Sequence, residues 1–133
     1  MLQVFLFYTE ILNNLTGIIA KLDHLKDAGM TACWLSPIFQ SPQVDFGYDV
    51  SDFYVINREY GNMDDFEDLI EKSNQLGIKI MLDFVPNHTS NLHQWFIESE
   101  KGNPLYRDYY VWDDGFLNSG KYLINQSVCL IQM

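Results

Sequence analysis

The sequence predicts an α/β fold built on a parallel sheet, and three observations support this. Thr31–Leu35 and Ile78–Val85 are nearly continuous apolar runs, typical of strands that are covered on both faces. Helical periodicity of apolar residues fills the segments before and between these runs. A strand–helix–strand order implies parallel strands joined by right-handed crossovers, so the loops that follow both strands emerge at one edge of the sheet.

The first predicted helix covers Gly17–Ala28, with Thr16 as its N-cap and Gly29 as its C-terminal stop. Its apolar stripe consists of Ile18, Ile19, Leu22 and Leu25. The strand Thr31–Leu35 follows and ends at a Ser-Pro pair. Cys33 lies in this strand, where we expect a small buried hydrophobic side chain.

The second predicted helix covers Asn62–Leu76, after a long loop over Ile38–Gly61. Asn62 is the expected N-cap, Gly77 ends the helix, and acidic residues in the first turn favour its positive end. The predicted buried stripe consists of Met63, Phe66, Leu69, Ile70 and Leu76. The second strand follows and stops at Pro86.

The rest of the chain gives weaker patterns. A short helix is expected over Asn91–Glu100, with Trp95 and Phe96 packing inward. The aromatic segment Tyr106–Trp112 is expected to pack beneath the site, and the tail Phe116–Met133 has no clear pattern.

The charge of the chain disfavours polyanionic partners. The chain has 133 residues, a net charge of -10 and a sequence pI of about 4.4, which disfavours nucleic acids and anionic membranes. No apolar run is long enough to span a bilayer, and the N-terminus lacks the basic region of a signal peptide. Asn-x-Ser/Thr sequons begin at Asn14, Asn87 and Asn125. Asn87 lies in the candidate site and is expected to be structural and not glycosylated, while the other two weakly favour a secreted or cell-surface protein.

Polar residues follow both predicted strands and suggest one shared site. The combined cluster holds Asp45, Tyr48, Asp49, Asp83 and His88. It contains no lysine, arginine or cysteine and no glycine-rich phosphate loop. Carboxylates and an imidazole bind hydroxyls, and an aromatic ring stacks on a pyranose, so the cluster fits a neutral sugar better than an anion.

Each of these residues also has a structural interpretation. His88 alone would more often be a hydrogen-bonded structural residue, but its position directly after a strand and a proline favours function. Asp49 could cap a turn, and Tyr48 could serve packing only. Asp83 lies on the predicted strand, so we expect it to be buried in a supporting role. The mixed spacing disfavours a metal site made of Asp45, Asp49 and His88.

Four ordered motifs resemble the α-amylase superfamily, glycoside hydrolase family 13, and within it the insect maltase and α-glucosidase branch: SPIFQSPQVDFGYDVSDFY, YGNMDDFEDLI, GIKIMLDFVPNHTS and LYRDYYVWDDG. The resemblance implies part of a TIM (β/α)8 barrel over residues 15–115, roughly its first two to three βα units. Residues 1–14 and 116–133 would be divergent ends. A complete barrel needs roughly 250 residues.

The resemblance also implies roles for the site residues. Asp45 and His88 would hydrogen-bond the hydroxyls of the non-reducing glucose, and Tyr48 would stack on its ring. Asp49 would orient the loop. Asn87 would be structural, although its counterpart is a calcium ligand in calcium-binding relatives.

The implied reaction is hydrolysis of terminal α-1,4-linked glucose from maltose or short α-glucoside oligosaccharides by a retaining mechanism. The nucleophile and the acid/base would lie beyond this chain, so no residue here is assigned a catalytic role. We therefore expect the chain alone to be inactive and marginally folded, because an open sheet leaves exposed edges. No cofactor is required, and calcium remains an option only for the full-length parent.

Two alternatives remain open at the level of sequence. One is a non-catalytic ectodomain of the amino-acid transporter heavy-chain type, and the other is a truncated product without function. Such ectodomains typically lose the Gly-Tyr-Asp cluster, whereas this chain keeps Gly47, Tyr48 and Asp49 together with His88. Enzyme ancestry is therefore the favoured interpretation.

Overall fold

A computed structural model describes residues 4–7, 14–112 and 128–130, and the chain divides into two units. Unit one comprises Met1–Gln40 and Tyr54–Phe84, and unit two comprises Ser41–Phe53 and Val85–Met133. The strands are β1 (Val4–Phe7), β2 (Ala32–Leu35), β3 (Phe39–Gln40), β4 (Asp52–Ile56), β5 (Lys79–Leu82), β6 (His88–Ser90) and β7 (Val128–Leu130). The α-helices are α1 (Leu15–Ile19), α2 (Leu22–Asp27), α3 (Met63–Leu76) and α4 (Gln94–Glu100).

Unit one contains a three-stranded parallel sheet in the order β1-β2-β5. Cys33 of the central strand pairs with Phe5 on one side and Ile80 on the other, so the two predicted strands are neighbours. Cys33 is fully buried, as expected, and this burial raises the pKa of its thiol to about 12. The parallel arrangement predicted from the order of elements is confirmed.

The first predicted helix is wrong as a single element, because the chain forms α1 and α2 with a break at Ala20 and Lys21. Thr16 is also not the N-cap. Asn14 caps α1 instead: its Oδ1 accepts hydrogen bonds from the Gly17 amide and the Thr16 hydroxyl, both at 2.8 Å. The helix starts at Leu15 and not at the predicted Gly17, because the Asn14 side chain accepts from an amide that has no partner within the helix.

Helix α3 begins and ends where its local signals predict. The Asn62 side chain accepts from the amides of Asp64 and Asp65, and the Asp65 carboxylate accepts from the Asn62 amide in return. Gly77 ends the helix with φ of 69°, a left-handed conformation that favours glycine. Met63, in contrast, is 44% exposed, so its predicted place in the buried stripe is wrong.

The core of unit one lies between these helices and the sheet. Leu69 of α3 is fully buried, while Phe66, Ile70 and Leu76 are half-buried. The other buried apolar members of the cluster are Leu15, Ile18, Leu22, Leu25, Cys33, Leu35, Ile38, Ile56, Tyr60 and Ile78.

Strand β5 lies at one edge of the sheet and is poorly covered. Met81 and Leu82 are each 37% exposed, and Phe84 beyond the strand is 81% exposed. The expectation that an open sheet leaves apolar surface exposed is therefore confirmed.

The long loop predicted over residues 38–61 contains regular structure, which corrects that interpretation. Strands β3 and β4 form a two-stranded sheet, and the Asn57 amide donates to the Ile38 carbonyl at 2.8 Å. The partner of β4 is only two residues long, too short to produce a recognisable pattern. Among the described residues no helix is long and apolar enough to cross a bilayer.

Unit two has a small aromatic core built on α4. Phe96 and Tyr110 are buried with rings in T-shaped contact, and Trp112 stacks on Phe96 at a centroid distance of 5.4 Å. The inward packing predicted for Phe96 is confirmed, while Trp95 is half-buried and α4 starts three residues later than predicted.

Strand β6 pairs antiparallel with β7, with Thr89 opposite Cys129. The end of the chain therefore includes a strand where no pattern was recognised, and residues 113–127 and 131–133 lie outside the described part. His88 begins β6 and does not lie in a loop, because its backbone joins this non-local ladder.

Candidate functional site

The loop after β3 is organised around one buried carboxylate. Asp49 is fully buried, and its Oδ1 accepts hydrogen bonds from the Ser41 hydroxyl at 2.7 Å and the Asp45 amide at 3.2 Å. Its Oδ2 accepts from the Val44 amide at 3.0 Å. A carboxylate loses hydration when it is buried, and these three donors compensate for that loss. Asp49 thus holds the loop that carries the other polar residues.

The same loop contains three residues with positive φ angles and a tight turn. Gly47 is buried with φ of 89°, while Gln43 and Phe46 adopt φ of 61° and 51°, respectively. Residues with a Cβ atom rarely adopt positive φ. A tight turn also brings the Tyr48 amide to 2.9 Å from the Asp45 carbonyl. As a result Asp45 and Tyr48 lie close together on one rigid turn.

His88 connects the two polar clusters that follow the strands. Its Nε2 lies 3.1 Å from the Tyr48 carbonyl oxygen, so Nε2 carries the proton and donates. Its Nδ1 lies 3.2 Å from the Asn87 side-chain Nδ2, which donates to it. Two residues further along each segment, the backbones are joined as well: the Ser90 amide donates to the Val50 carbonyl at 2.8 Å. The expectation that the two loops lie side by side is confirmed.

The predicted site residues differ in accessibility. Asp45 and Asn87 are exposed, Tyr48 is 36% exposed and His88 is half-buried. All four belong to unit two, together with Asp49.

The predictions that Asp83 lies on the strand and is buried are wrong. It follows β5 and is not part of that strand, and it is half-buried where burial was expected. The strand ends at Leu82, and the Asp83 Oδ1 accepts a local hydrogen bond from the amide of Phe84 at 2.9 Å. Asp83 belongs to unit one.

The aromatic segment expected beneath the site contacts β6 through one hydroxyl. The Tyr110 hydroxyl lies 2.7 Å from Thr89 Oγ1, and both residues are buried. Thr89 directly follows His88, so this bond fixes the strand from which the imidazole projects. Composition indicated the aromatic segment, but nothing in the pattern singled out Thr89.

His93 was not recognised from the sequence, and it is a second buried imidazole in unit two. It is 4% exposed, and its Nδ1 accepts from the Trp95 amide at 3.1 Å, which caps α4. Its ring lies 4.4 Å from Trp95 and 5.5 Å from Phe53, measured between centroids. Burial lowers the pKa of His93, and the nearby Asp52 carboxylate partly opposes this shift.

We expect acidification to weaken unit two through His93. The folded-state pKa lies below the unfolded value of 6.5, so the stability from the neutral ring is fully present above that value. It is lost as the pH falls through the folded pKa, because protonated Nδ1 can no longer accept the cap bond, worth about 1 kcal/mol. Urea unfolding at about pH 7.5 and about pH 5.5 measures this loss as a difference in the free energy of unfolding.

His93→Asn provides the matched variant, because asparagine caps helices without titrating in this range. Wild type should lose more free energy of unfolding on acidification than this variant does. Equal losses in the two proteins would contradict the assignment to His93. His24→Asn, at an exposed position, is the control for general histidine effects.

The described residues show no metal-binding cluster of acidic, histidine and cysteine side chains. No three histidine, cysteine, aspartate or glutamate side chains in that part of the chain lie close enough to hold a metal ion. Asn87 is exposed and its amide nitrogen faces His88.

Comparison with known proteins identifies the family of this chain. Residues 9–126 match the alpha-amylase family, described as alpha amylase, catalytic domain. The chain belongs to this family, as the sequence motifs indicated.

Curated relatives include enzymes from insects. The chain is 56% identical to Maltase A1 of Drosophila melanogaster over 108 residues, which cover 81% of this chain and 19% of that protein. It is 54% identical to an alpha-glucosidase of Culex pipiens over 101 residues, which cover 76% of this chain and 17% of that protein. The chain thus spans about a fifth of the length of these relatives.

Solved structures of other proteins have a backbone similar to that of this chain. A trehalose-6-phosphate hydrolase of Bacillus licheniformis superposes with a TM-score of 0.83 at 36% identity, covering 98% of this chain and 28% of that chain. An isomaltulose synthase of Erwinia rhapontici NX5, solved with D-glucose, gives a TM-score of 0.86 at 34% identity, covering 97% of this chain and 29% of that one. The predicted fold class, part of a (β/α)8 barrel, is confirmed.

Proposed function

We propose that this chain forms the glucose-binding part of an α-glucosidase that hydrolyses terminal α-1,4-linked glucose from maltose or short α-glucoside oligosaccharides. The observation that carries the proposal is the hydrogen bond between His88 Nε2 and the Tyr48 carbonyl, at 3.1 Å. It joins the loop bearing Asp45 and Tyr48 to the strand bearing His88. The names maltase and alpha-glucosidase of the relatives supply the substrate class.

Each residue has a distinct role in the proposed site. The exposed carboxylate of Asp45 accepts hydrogen bonds from glucose hydroxyls, which are stronger when the acceptor is charged. The ring of Tyr48 covers the apolar face of the pyranose. His88 keeps its bond to the Tyr48 carbonyl and exchanges its contact with Asn87 for a sugar hydroxyl. Asp49 takes no hydroxyl, because it is buried and holds the loop.

The reaction itself requires carboxylates that we do not assign to this chain. In a retaining mechanism one carboxylate forms the glycosyl-enzyme intermediate, and a second acts first as acid and then as base. We propose that both come from outside these 133 residues, so the chain alone binds sugar without hydrolysing it. The proposal involves no cofactor.

We place the parent protein outside the cell or at its surface. Two mosquito relatives, from Anopheles gambiae and Aedes aegypti, are named salivary alpha-glucosidases. The sequons at Asn14 and Asn125 are compatible with a secretory route.

Binding of a non-hydrolysable, sulfur-linked maltose analogue to the longest polypeptide that the gene encodes tests the proposal. We expect Asp45→Asn to weaken binding about tenfold or more, because a charged hydrogen-bond acceptor becomes neutral. His88→Ala should weaken it by a similar factor. Asp27→Asn removes an exposed carboxylate in α2 and should leave the affinity unchanged. Titration followed by NMR chemical shifts measures all four proteins.

Two results would overturn the proposal. One is the absence of binding by the wild-type polypeptide at analogue concentrations of about 50 mM, far above the dissociation constants of ordinary enzyme–substrate complexes. The other is equal affinity of the Asp45→Asn and Asp27→Asn variants.

A further inference from the structure

Phe46 combines two features that packing and backbone preference do not explain. Its side chain is 73% exposed, and its φ of 51° places it in the left-handed region. Glycine, asparagine and aspartate adopt this conformation more readily than a residue with a large side chain. A phenylalanine here accepts an unfavourable backbone conformation, and its exposed ring gains little from burial in return.

The surrounding loop holds this conformation in place. The carboxylate of Asp49 binds the amides of Val44 and Asp45 on one side of Phe46. On the other side, Gly47 is buried and the Tyr48 amide donates to the Asp45 carbonyl at 2.9 Å. Phe46 is therefore an exposed residue in a turn whose backbone these bonds hold in place.

The position of Phe46 indicates what covers its ring. Phe46 and Gly47 separate Asp45 from Tyr48, the two residues to which the proposed function assigns the first glucose. A pyranose has an apolar face of C–H groups, and aromatic rings make favourable contacts with such faces. The cluster is acidic and has no basic side chain, which suits a neutral ligand.

We propose that Phe46 is a specificity-determining residue whose ring stacks on the second glucose unit of a bound α-glucoside, next to the unit held by Asp45 and Tyr48. This inference rests on the proposed function and extends it to substrate length. It assigns to Phe46 a preference for di- and oligosaccharides over a single glucose unit. The unfavourable backbone is then retained for binding and not for stability.

The test compares two ligands on the longest polypeptide that the gene encodes. They are a sulfur-linked maltotriose analogue and methyl 1-thio-α-glucopyranoside, neither of which is hydrolysed. For Phe46→Asn we expect the affinity for the maltotriose analogue to fall about fivefold, the range of one aromatic contact. The affinity for the monosaccharide should change less than about twofold. Phe46→Tyr should retain both affinities.

Thermal unfolding separates binding from a structural role. Asparagine fits the left-handed region, so Phe46→Asn should leave the melting temperature unchanged or raise it. Leu105→Asn, a replacement at a residue that is 77% exposed and also in unit two, is the matched control and should alter neither affinity.

Three results would overturn the inference: a lower melting temperature for Phe46→Asn, equal losses for both ligands, or no loss for either. Failure of the proposed function looks different. In that case Asp45→Asn would bind both ligands as well as wild type does, whatever Phe46→Asn shows.

Discussion

Asp49→Ala should destabilise the chain by about 3 kcal/mol, because it removes the acceptor of three hydrogen bonds at once. The Ser41 hydroxyl and the amides of Val44 and Asp45 would lose their partner, and a fully buried side chain would be replaced by a smaller one. The turn carrying Asp45 would loosen as well, so binding of the sulfur-linked maltose analogue should weaken. Urea unfolding and NMR titration measure the two effects.

Asp27→Ala is the control for removing a carboxylate that makes no buried contact. Asp27 is exposed at the end of α2, and its replacement should change the free energy of unfolding by less than about 0.5 kcal/mol. If Asp49→Ala costs no more than this control, Asp49 does not organise the loop.

Leu69→Ala should cost about 3 kcal/mol through loss of burial and formation of a cavity. Leu69 is fully buried in the core of unit one, in contact with the helices and strands that fix the sheet. Its effect should appear in the free energy of unfolding measured with urea, since Leu69 lies outside the predicted binding residues.

Met63→Ala tests whether burial causes this loss. Met63 occupies the first turn of the same helix and is 44% exposed, so its replacement should cost less than about 1 kcal/mol. Similar losses for the two variants would mean that helix propensity, and not the core, sets the stability of this region.

Local signals predicted α3 well because they act within a few residues. The capping box of Asn62 and Asp65 and the left-handed Gly77 define both ends. The break between α1 and α2 carries no glycine or proline, so no local signal divides this amphipathic pattern into two helices. The strand pairs β3-β4 and β6-β7 depend on partners distant in sequence, which periodicity does not reveal.

The adjacency of the site residues followed from topology alone. Parallel neighbouring strands are expected to place their loops at one edge, and within unit two His88 is bonded to Tyr48. Residues that support the site were harder to predict. Ser41, which donates to Asp49, and His93, which caps α4, are common polar residues in polar segments. Nothing in their sequence surroundings indicates that both are buried.

The order of strands in the sheet of unit one is the order in which a ribosome makes them. β1 is synthesised first, β2 pairs with it, and β5 pairs with β2, so each new strand adds to an edge that already exists. Among the described strands of this sheet, each later one pairs with the one made before it. This part of the chain can therefore assemble in step with translation, and its open edge at β5 offers the template on which a further strand of a barrel can form.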